Sequence, residues 1–178
     1  MRQRLCLLAN RFLNLRRRLE GSGHPAVRAI QAVLDDIEGV SRTDFPHQWC
    51  EFATFTFGLM LTHEPDLEGL KYRLGRDGVS RHWWLEISGQ QVDLTISQFQ
   101  GGPAIPYIQQ LDDTHIRLFG MPRDFPEPDV NVSFRAMVNS LADAMIAMDK
   151  SMGDPAFAVS SGPHGQDGGR NADKTLLQ

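Results

Sequence analysis

Three residues that together can make a thiol nucleophile occur in order along the chain: Cys50, His82 and Asp93. A cysteine sulfur attacks an acyl carbon as the thiolate, an imidazole takes and returns the proton, and a carboxylate can fix the tautomer of that imidazole. The three residues are far apart in sequence, so their use as one site depends on the elements that carry them.

A helix predicted from about Trp49 to Thr62 places Cys50 in its first turn, with Phe52 and Phe55 facing inward at helical spacing. Free backbone amides and the positive end of the helix dipole gather at this end and stabilise a thiolate. A buried core cysteine is the structural alternative, and the histidine and aspartate downstream favour the nucleophile.

His82 and Asp93 fall on two short predicted strands joined at Gly89. Alternation along the strands places six side chains on one face: His82, Trp84, Glu86, Asp93, Thr95 and Ser97. The shared face supports the pairing of His82 with Asp93.

The register of this predicted hairpin conflicts with that pairing. If residues 89–90 form a two-residue turn, Asp93 lies roughly 13 Å along the strand from the level of His82. A hydrogen bond does not span that distance, so either a bulge or a different turn shifts the register, or another group is the acceptor. Asp93 is the first choice, with Ser97 and Gln98 as alternatives.

The rest of the chain predicts an α+β fold in which helices pack on a small antiparallel sheet. Helical periodicity is present over residues 3–19, 25–37 and 133–150. Strand-like alternation is present over residues 71–75 and 114–119, with a short extended piece at 105–108. The prolines of residues 121–128 predict a crossing loop with neither strand nor helix.

These residues resemble the papain-like and transglutaminase-like cysteine enzyme superfamily. The similarity lies in Cys50-Glu51-Phe52, in His82-Trp83-Trp84-Leu85-Glu86 and in Val92-Asp93-Leu94-Thr95, on helix, strand and strand. It covers residues 48–99. The resemblance implies a core helix that begins at the nucleophile Cys50, with His82 as base, Asp93 as the orienting group, and chemistry on an acyl group.

Three more residues are candidates for the oxyanion and substrate site. The backbone amide of Cys50 at a helix start is one oxyanion donor, and the side-chain amide of Gln48 is a second candidate. Gln98 and Trp84 are substrate-site candidates, and Trp84 shares the face of His82. Core packing is the equally weighted alternative for Trp84.

Composition indicates one globular domain. The chain has 178 residues with 41% hydrophobic and 22% charged residues, which suits a single domain over 1–150 and a flexible tail over 151–178. The net charge of −4 argues against a nucleic-acid surface, and no segment is apolar for long enough to cross a membrane.

The two cysteines, Cys6 and Cys50, do not form a disulfide framework, and no metal-ligand spacing occurs, so neither a metal nor a cofactor is predicted. No secretory signal is recognised, which favours a cytoplasmic protein, although a delivered effector stays open.

The leading hypothesis is a hydrolase that cleaves an amide or isopeptide bond of a protein or peptide-like substrate through an acyl-enzyme on Cys50. One alternative is a binding or scaffold protein that keeps the fold without catalysis. The other is an acyltransferase or crosslinking enzyme of the same superfamily, which shares the acyl-enzyme. The sequence leaves the substrate and the oligomeric state open.

Overall fold

The computed structural model of the chain describes residues 1–37, 43–62, 64–78, 80–99, 102–125, 132–153 and 156–157. Most of the predicted tail lies outside these ranges. Within it, the backbone amides of Ala156 and Phe157 donate to Asp149 Oδ2, and the Phe157 side chain is buried.

Within the described residues, five α-helices form in chain order: α1 (Arg2–Gly21), α2 (Pro25–Asp35), α3 (Cys50–Leu61), α4 (Thr114–Phe119) and α5 (Val132–Ser151). The four longer helices are the predicted ones. The buried stripe of α1 follows the predicted three- and four-residue spacing: Leu5, Leu8, Phe12, Leu15 and Leu19. No helix in the described part of the chain is long and apolar enough to cross a membrane.

In the part of the chain that the structure describes, five strands form one antiparallel sheet: β1 (Lys71–Asp77), β2 (Ser80–Ile87), β3 (Gln90–Asp93), β4 (Tyr107–Gln110) and β5 (Arg123–Phe125). Their order is β4-β3-β2-β1-β5, and every neighbouring pair is antiparallel. A 3₁₀ helix (Ile96–Gln98) follows β3. The predicted α+β class, with helices on a small antiparallel sheet, is confirmed.

Two sequence predictions about local structure are wrong. Thr114–Phe119 forms helix α4 rather than a strand, because His115 and Phe119, four residues apart, are both buried on one helical face. Arg123–Phe125 pairs with β1 although the prolines predicted only a loop. This short strand lies at the sheet edge and contains no proline itself, so its ladder loses no donor.

The two faces of the sheet are covered by different partners. Alternate residues of β2 (Trp83, Leu85, Ile87) belong to the main core with α1, α3 and α5. Trp84 faces the other way and packs in a second cluster with Ile96, Tyr107 and Phe119. Helix α4 closes this second face, which carries His82.

Candidate active site

Cys50 is the first residue of α3, in the first turn as predicted, and it is 9% exposed to solvent. Helix α3 lies against β2 where β3 does not reach, because the β2–β3 ladder ends at the pair Leu85–Val92. There the Thr54 hydroxyl donates to the carbonyl of Trp83 at 3.0 Å, and the Cys50 sulfur lies 3.9 Å from the carbonyl oxygen of Arg81.

These two contacts explain the position of α3. Carbonyls two residues apart on a strand point to the same side, and those of Arg81 and Trp83 would otherwise lack a ladder partner. Cys50 and Thr54 are four residues apart and so share one helical face. The first turn of α3 therefore takes the place of a strand beside the start of β2.

The β2–β3 hairpin has a different turn from the one predicted. Ser88 (φ 49°) and Gly89 (φ 72°) both have positive φ, and Ile87 pairs with Gln90. Two central residues with positive φ are typical of the tight turn that matches strand twist. This turn shifts the pairing by two residues, so Asp93 lies only about 7 Å along the sheet from the level of His82.

His82 and Asp93 are consequently diagonal neighbours on one face, close enough for their side chains to meet. His82 Nε2 donates to Asp93 Oδ2 at 2.5 Å, and both side chains are buried. The backbone amide of Thr95 donates to Asp93 Oδ1 at 2.8 Å. Of the alternative acceptors, Ser97 is exposed, and the side-chain oxygen of Gln98 accepts the backbone amide of Gln48.

His115 is a second histidine on the same carboxylate, and sequence reasoning missed it. Its Nε2 lies 2.9 Å from Asp93 Oδ2, and its Nδ1 lies 2.6 Å from Gln91 Oε1. The other end of the Gln91 side chain donates to the carbonyl of Asp112 at 2.9 Å. The available signal was the helical spacing of His115 and Phe119 after two aspartates, which the strand prediction overlooked.

The charges of the site support one another. Burial favours the neutral form of His82, but the charge and hydrogen bond of Asp93 outweigh it, with a smaller contribution from Cys50, and raise the His82 pKa to about 9. Burial works against ionisation of Asp93 as well, yet His82 and His115 together hold its pKa well below the usual value. The pair is therefore a carboxylate and an imidazole that readily holds a proton.

The Cys50 thiol lies near the His82 imidazole, close enough to help raise the His82 pKa. Because Nε2 is occupied by Asp93, Nδ1 is the ring nitrogen left for the thiol. Nδ1 is buried and has no hydrogen-bond partner within the described ranges. Sulfur, imidazole and carboxylate thus follow one another in a row.

The entry to α3 brings Gln98 close to the start of the helix that carries Cys50. Gln48, two residues before Cys50, has a positive φ of 62°, and its backbone amide donates to Gln98 Oε1 at 3.1 Å. This bond orients the Gln98 amide, whose Nε2 is buried without a partner among the residues that the structure describes. The side chain of Gln48 itself is exposed.

Aromatic rings surround the two histidines. The rings of Phe119 and Phe99 lie 4.5 Å and 4.8 Å from that of His82, measured between centroids. Trp84 stacks on His115 at 4.4 Å and is 1% exposed. Trp84 is therefore part of the buried packing around the two histidines and does not line an open groove.

Glu51 and Arg81 lie beside Cys50. Burial raises the Glu51 pKa, and the nearby charge of Arg81 opposes that change. Cys50 is therefore flanked by one half-buried carboxyl group and one exposed guanidinium.

His82, Asp93 and His115 are also the described residues whose donor atoms come close enough together to hold a metal, all within 4.8 Å of one another. Two imidazoles and a carboxylate can bind zinc or iron. Ligands of a tetrahedral metal lie about 3.4 Å apart, whereas Asp93 Oδ2 is 2.5 Å and 2.9 Å from the two nitrogens. These separations are those of hydrogen bonds, so the three side chains, as positioned here, are linked by hydrogen bonds.

Comparisons of the chain with protein-family models, with curated proteins and with solved structures give no match.

Proposed function

We propose that the protein is a thiol-dependent hydrolase that cleaves an amide or isopeptide bond of a protein or peptide-like substrate through an acyl-enzyme on Cys50. The observation that carries the proposal is the row formed by the Cys50 thiol, the His82 imidazole and the Asp93 carboxylate. The finer assignment of the fold to a papain-like or transglutaminase-like core rests on the same row and on the start of α3 at Cys50.

The steps follow from the positions of the side chains. His82 Nδ1 accepts the thiol proton, and the Cys50 thiolate attacks the acyl carbon. The tetrahedral intermediate then expels the amine, which takes that proton from His82 and leaves a thioester. Water, deprotonated by His82, hydrolyses the thioester and restores the thiol. Asp93 stabilises the imidazolium in each half of the cycle.

The oxyanion has two candidate donors. The amide of Cys50 lies in the first turn of α3, where it has no helical acceptor. The second is Gln98 Nε2, which is buried and oriented by the backbone of Gln48. Donors that are fixed before the reaction stabilise developing charge without reorganisation.

The test is selective alkylation. Iodoacetamide at pH 7 should label Cys50 faster than Cys6, which lies on α1 and serves as an internal control. His82→Ala should slow labelling of Cys50 at least tenfold, whereas His47→Ala, at a histidine that contacts Asp44, should not. Equal labelling of both cysteines, unaffected by His82→Ala, would contradict the proposal.

An activated ester separates catalysis from mere thiol reactivity. p-Nitrophenyl acetate should acetylate Cys50 and then be turned over, and Cys50→Ala should abolish both steps. A reactive thiol that is acetylated but never deacylated would instead favour the non-catalytic scaffold.

Hydrolysis and acyl transfer share the thioester, so the structure supports both. Adding a primary amine to the ester assay distinguishes them, because a transferase forms the amide adduct and a hydrolase forms acid. We propose a reducing compartment such as the cytoplasm for this activity, since it keeps Cys50 reduced.

A further inference from the structure

We propose that His115 is a protonated positioning residue, whose imidazolium donates to both Gln91 and Asp93 and holds the Asp93 carboxylate beside His82. The inference rests on the proposed function for its catalytic meaning, although its structural part stands separately.

The first argument is hydrogen-bond direction. The carbonyl of Asp112 can only accept, so the Gln91 NH₂ group must face it at 2.9 Å. The Gln91 oxygen then faces His115 Nδ1 at 2.6 Å, and that nitrogen must carry a hydrogen. This assignment leaves no choice of tautomer at Nδ1.

The other nitrogen meets an acceptor too. His115 Nε2 lies 2.9 Å from Asp93 Oδ2, the oxygen that already accepts from His82. Asp93 also accepts from Thr95, which favours the ionised carboxylate. A lone pair of His115 facing this carboxylate would be repulsive, so Nε2 carries a hydrogen as well and the ring is a cation.

The second argument is burial. The His115 side chain is 1% exposed, so Gln91 and Asp93 rather than water must satisfy its two ring nitrogens.

The groups around His115 also favour a cation. Trp84 stacks on its ring at 4.4 Å, and Tyr107 lies 5.5 Å away between centroids. The negative charge of Asp112 interacts with His115 from the preceding loop. Arg117, on the same helix, is exposed and paired with Asp113, so its repulsion is screened by solvent.

This cation has a consequence for the reaction. It holds the carboxylate of Asp93 in place and opposes the second positive charge on His82, whose ring centre lies 6.3 Å away. The imidazolium of His82 is therefore easier to deprotonate than it would be beside Asp93 alone, which favours return of its proton to the leaving group.

Two measurements on the full chain test the inference, both made in EDTA to exclude metal ions. The first is the ¹⁵N shift of the ring nitrogens of His115 in the wild-type protein at pH 7, which needs no variant for its readout. Two protonated nitrogens are expected, and a neutral ring with one unprotonated nitrogen would overturn the proposal.

The second is the titration of the His82 ring by NMR in His115→Gln, which keeps a donor for Asp93 but removes the charge. The His82 midpoint should rise by about one pH unit, because a nearby positive charge is lost. Tyr107→Phe, which removes the bond from Tyr107 to Asp112 and spares Asp93, is the matched control and should leave the midpoint in place. No rise in His115→Gln would contradict the inference.

The outcomes separate this inference from the proposed function. Slow alkylation of Cys50 in the wild-type chain defeats the hydrolase and leaves the ring measurement valid. A reactive Cys50 together with a neutral His115 defeats only the positioning role.

Discussion

Asp93 is the residue on which the candidate site depends, because its two oxygens accept from His82, His115 and Thr95. A carboxylate with this many donors is fixed in orientation and strongly favours its charged form. The same charge outweighs the burial of His82 and supports its imidazolium.

Asp93→Asn tests this dependence. The amide keeps the size of the side chain but removes the charge, so burial should lower the His82 pKa from about 9 to near or below its usual value. We expect alkylation of Cys50 at pH 7 to fall at least tenfold, as measured by mass spectrometry of the modified peptide. Undiminished alkylation would show that the thiol does not rely on the pair.

Gln98 allows the oxyanion role to be separated from nucleophile activation. Alkylation by iodoacetamide forms no oxyanion, whereas ester hydrolysis does. Gln98→Leu should therefore lower turnover of p-nitrophenyl acetate about 100-fold and change the alkylation rate of Cys50 less than twofold. Gln48→Leu is the control, since its exposed side chain is replaced while its backbone amide stays. Equal losses in both assays would assign Gln98 a structural role.

Residue types and their order along the chain single out Cys50, His82 and Asp93 as candidates, but they do not single out His115. Residue type and strand alternation put His82 and Asp93 on one face. His115 reaches the same carboxylate only through tertiary packing of α4, and its sequence neighbours read as a strand. The spacing of these residues in the sequence also does not indicate that they come together, because they lie on three different elements.

At the scale of elements, Gly75 allows α4 to cover the site. It pairs with His82 across the β1–β2 ladder, and a Cβ atom there would lie 2.5 Å from Phe119 Cβ and 3.1 Å from the Trp84 ring. Because Gly75 has no side chain, Phe119 can occupy this space and pack against the His82 ring.

Gly75→Ala should therefore push α4 away from the sheet. The contact involves Phe119 Cβ, which moves only with the helix backbone, so we expect a loss of about 1–3 kcal/mol in the free energy of unfolding in urea. Gly21→Ala, where an added Cβ meets nothing within 4 Å, should change the stability by less than about 0.5 kcal/mol. A Gly75→Ala protein as stable as the wild type would show that α4 adjusts freely.

The hairpin shows why elements are easier to predict than their register. Alternation predicts both strands, yet moving the turn from residues 89–90 to residues 88–89 shifts the pairing by two residues. The shift keeps every side chain on its face, so periodicity cannot detect it. Only the positive φ of Ser88, a non-glycine residue, reveals which turn forms.

At the scale of the whole molecule, the sheet separates an apolar core from a polar layer. The main core with α1, α3 and α5 follows the amphipathic patterns that predicted the long helices. The second face combines aromatic rings with the histidines and Asp93. Sequence patterns predict the first layer well, because its residues repeat with a period. The second depends on partners brought from separate elements.

This buried polar layer should make stability depend on pH. The His82 pKa is about 9 in the folded protein and about 6.5 in an unfolded chain. The folded state thus holds the His82 proton more tightly than the unfolded chain does. The contribution of this proton to the free energy of unfolding is complete below pH 6.5 and is lost as the pH rises through 9. A shift of this size corresponds to about 3 kcal/mol.

This contribution can be measured from the free energy of unfolding in urea at pH 6 and at pH 10, with His82→Gln as the reference protein. Other groups titrate in the same interval in both proteins, so the difference between them isolates His82. The wild type should lose about 3 kcal/mol more than His82→Gln between the two pH values, whereas His47→Gln should follow the wild type. Parallel losses in the wild type and His82→Gln would mean that Asp93 does not hold a proton on His82, and the row from Cys50 to Asp93 would lose its electrostatic basis.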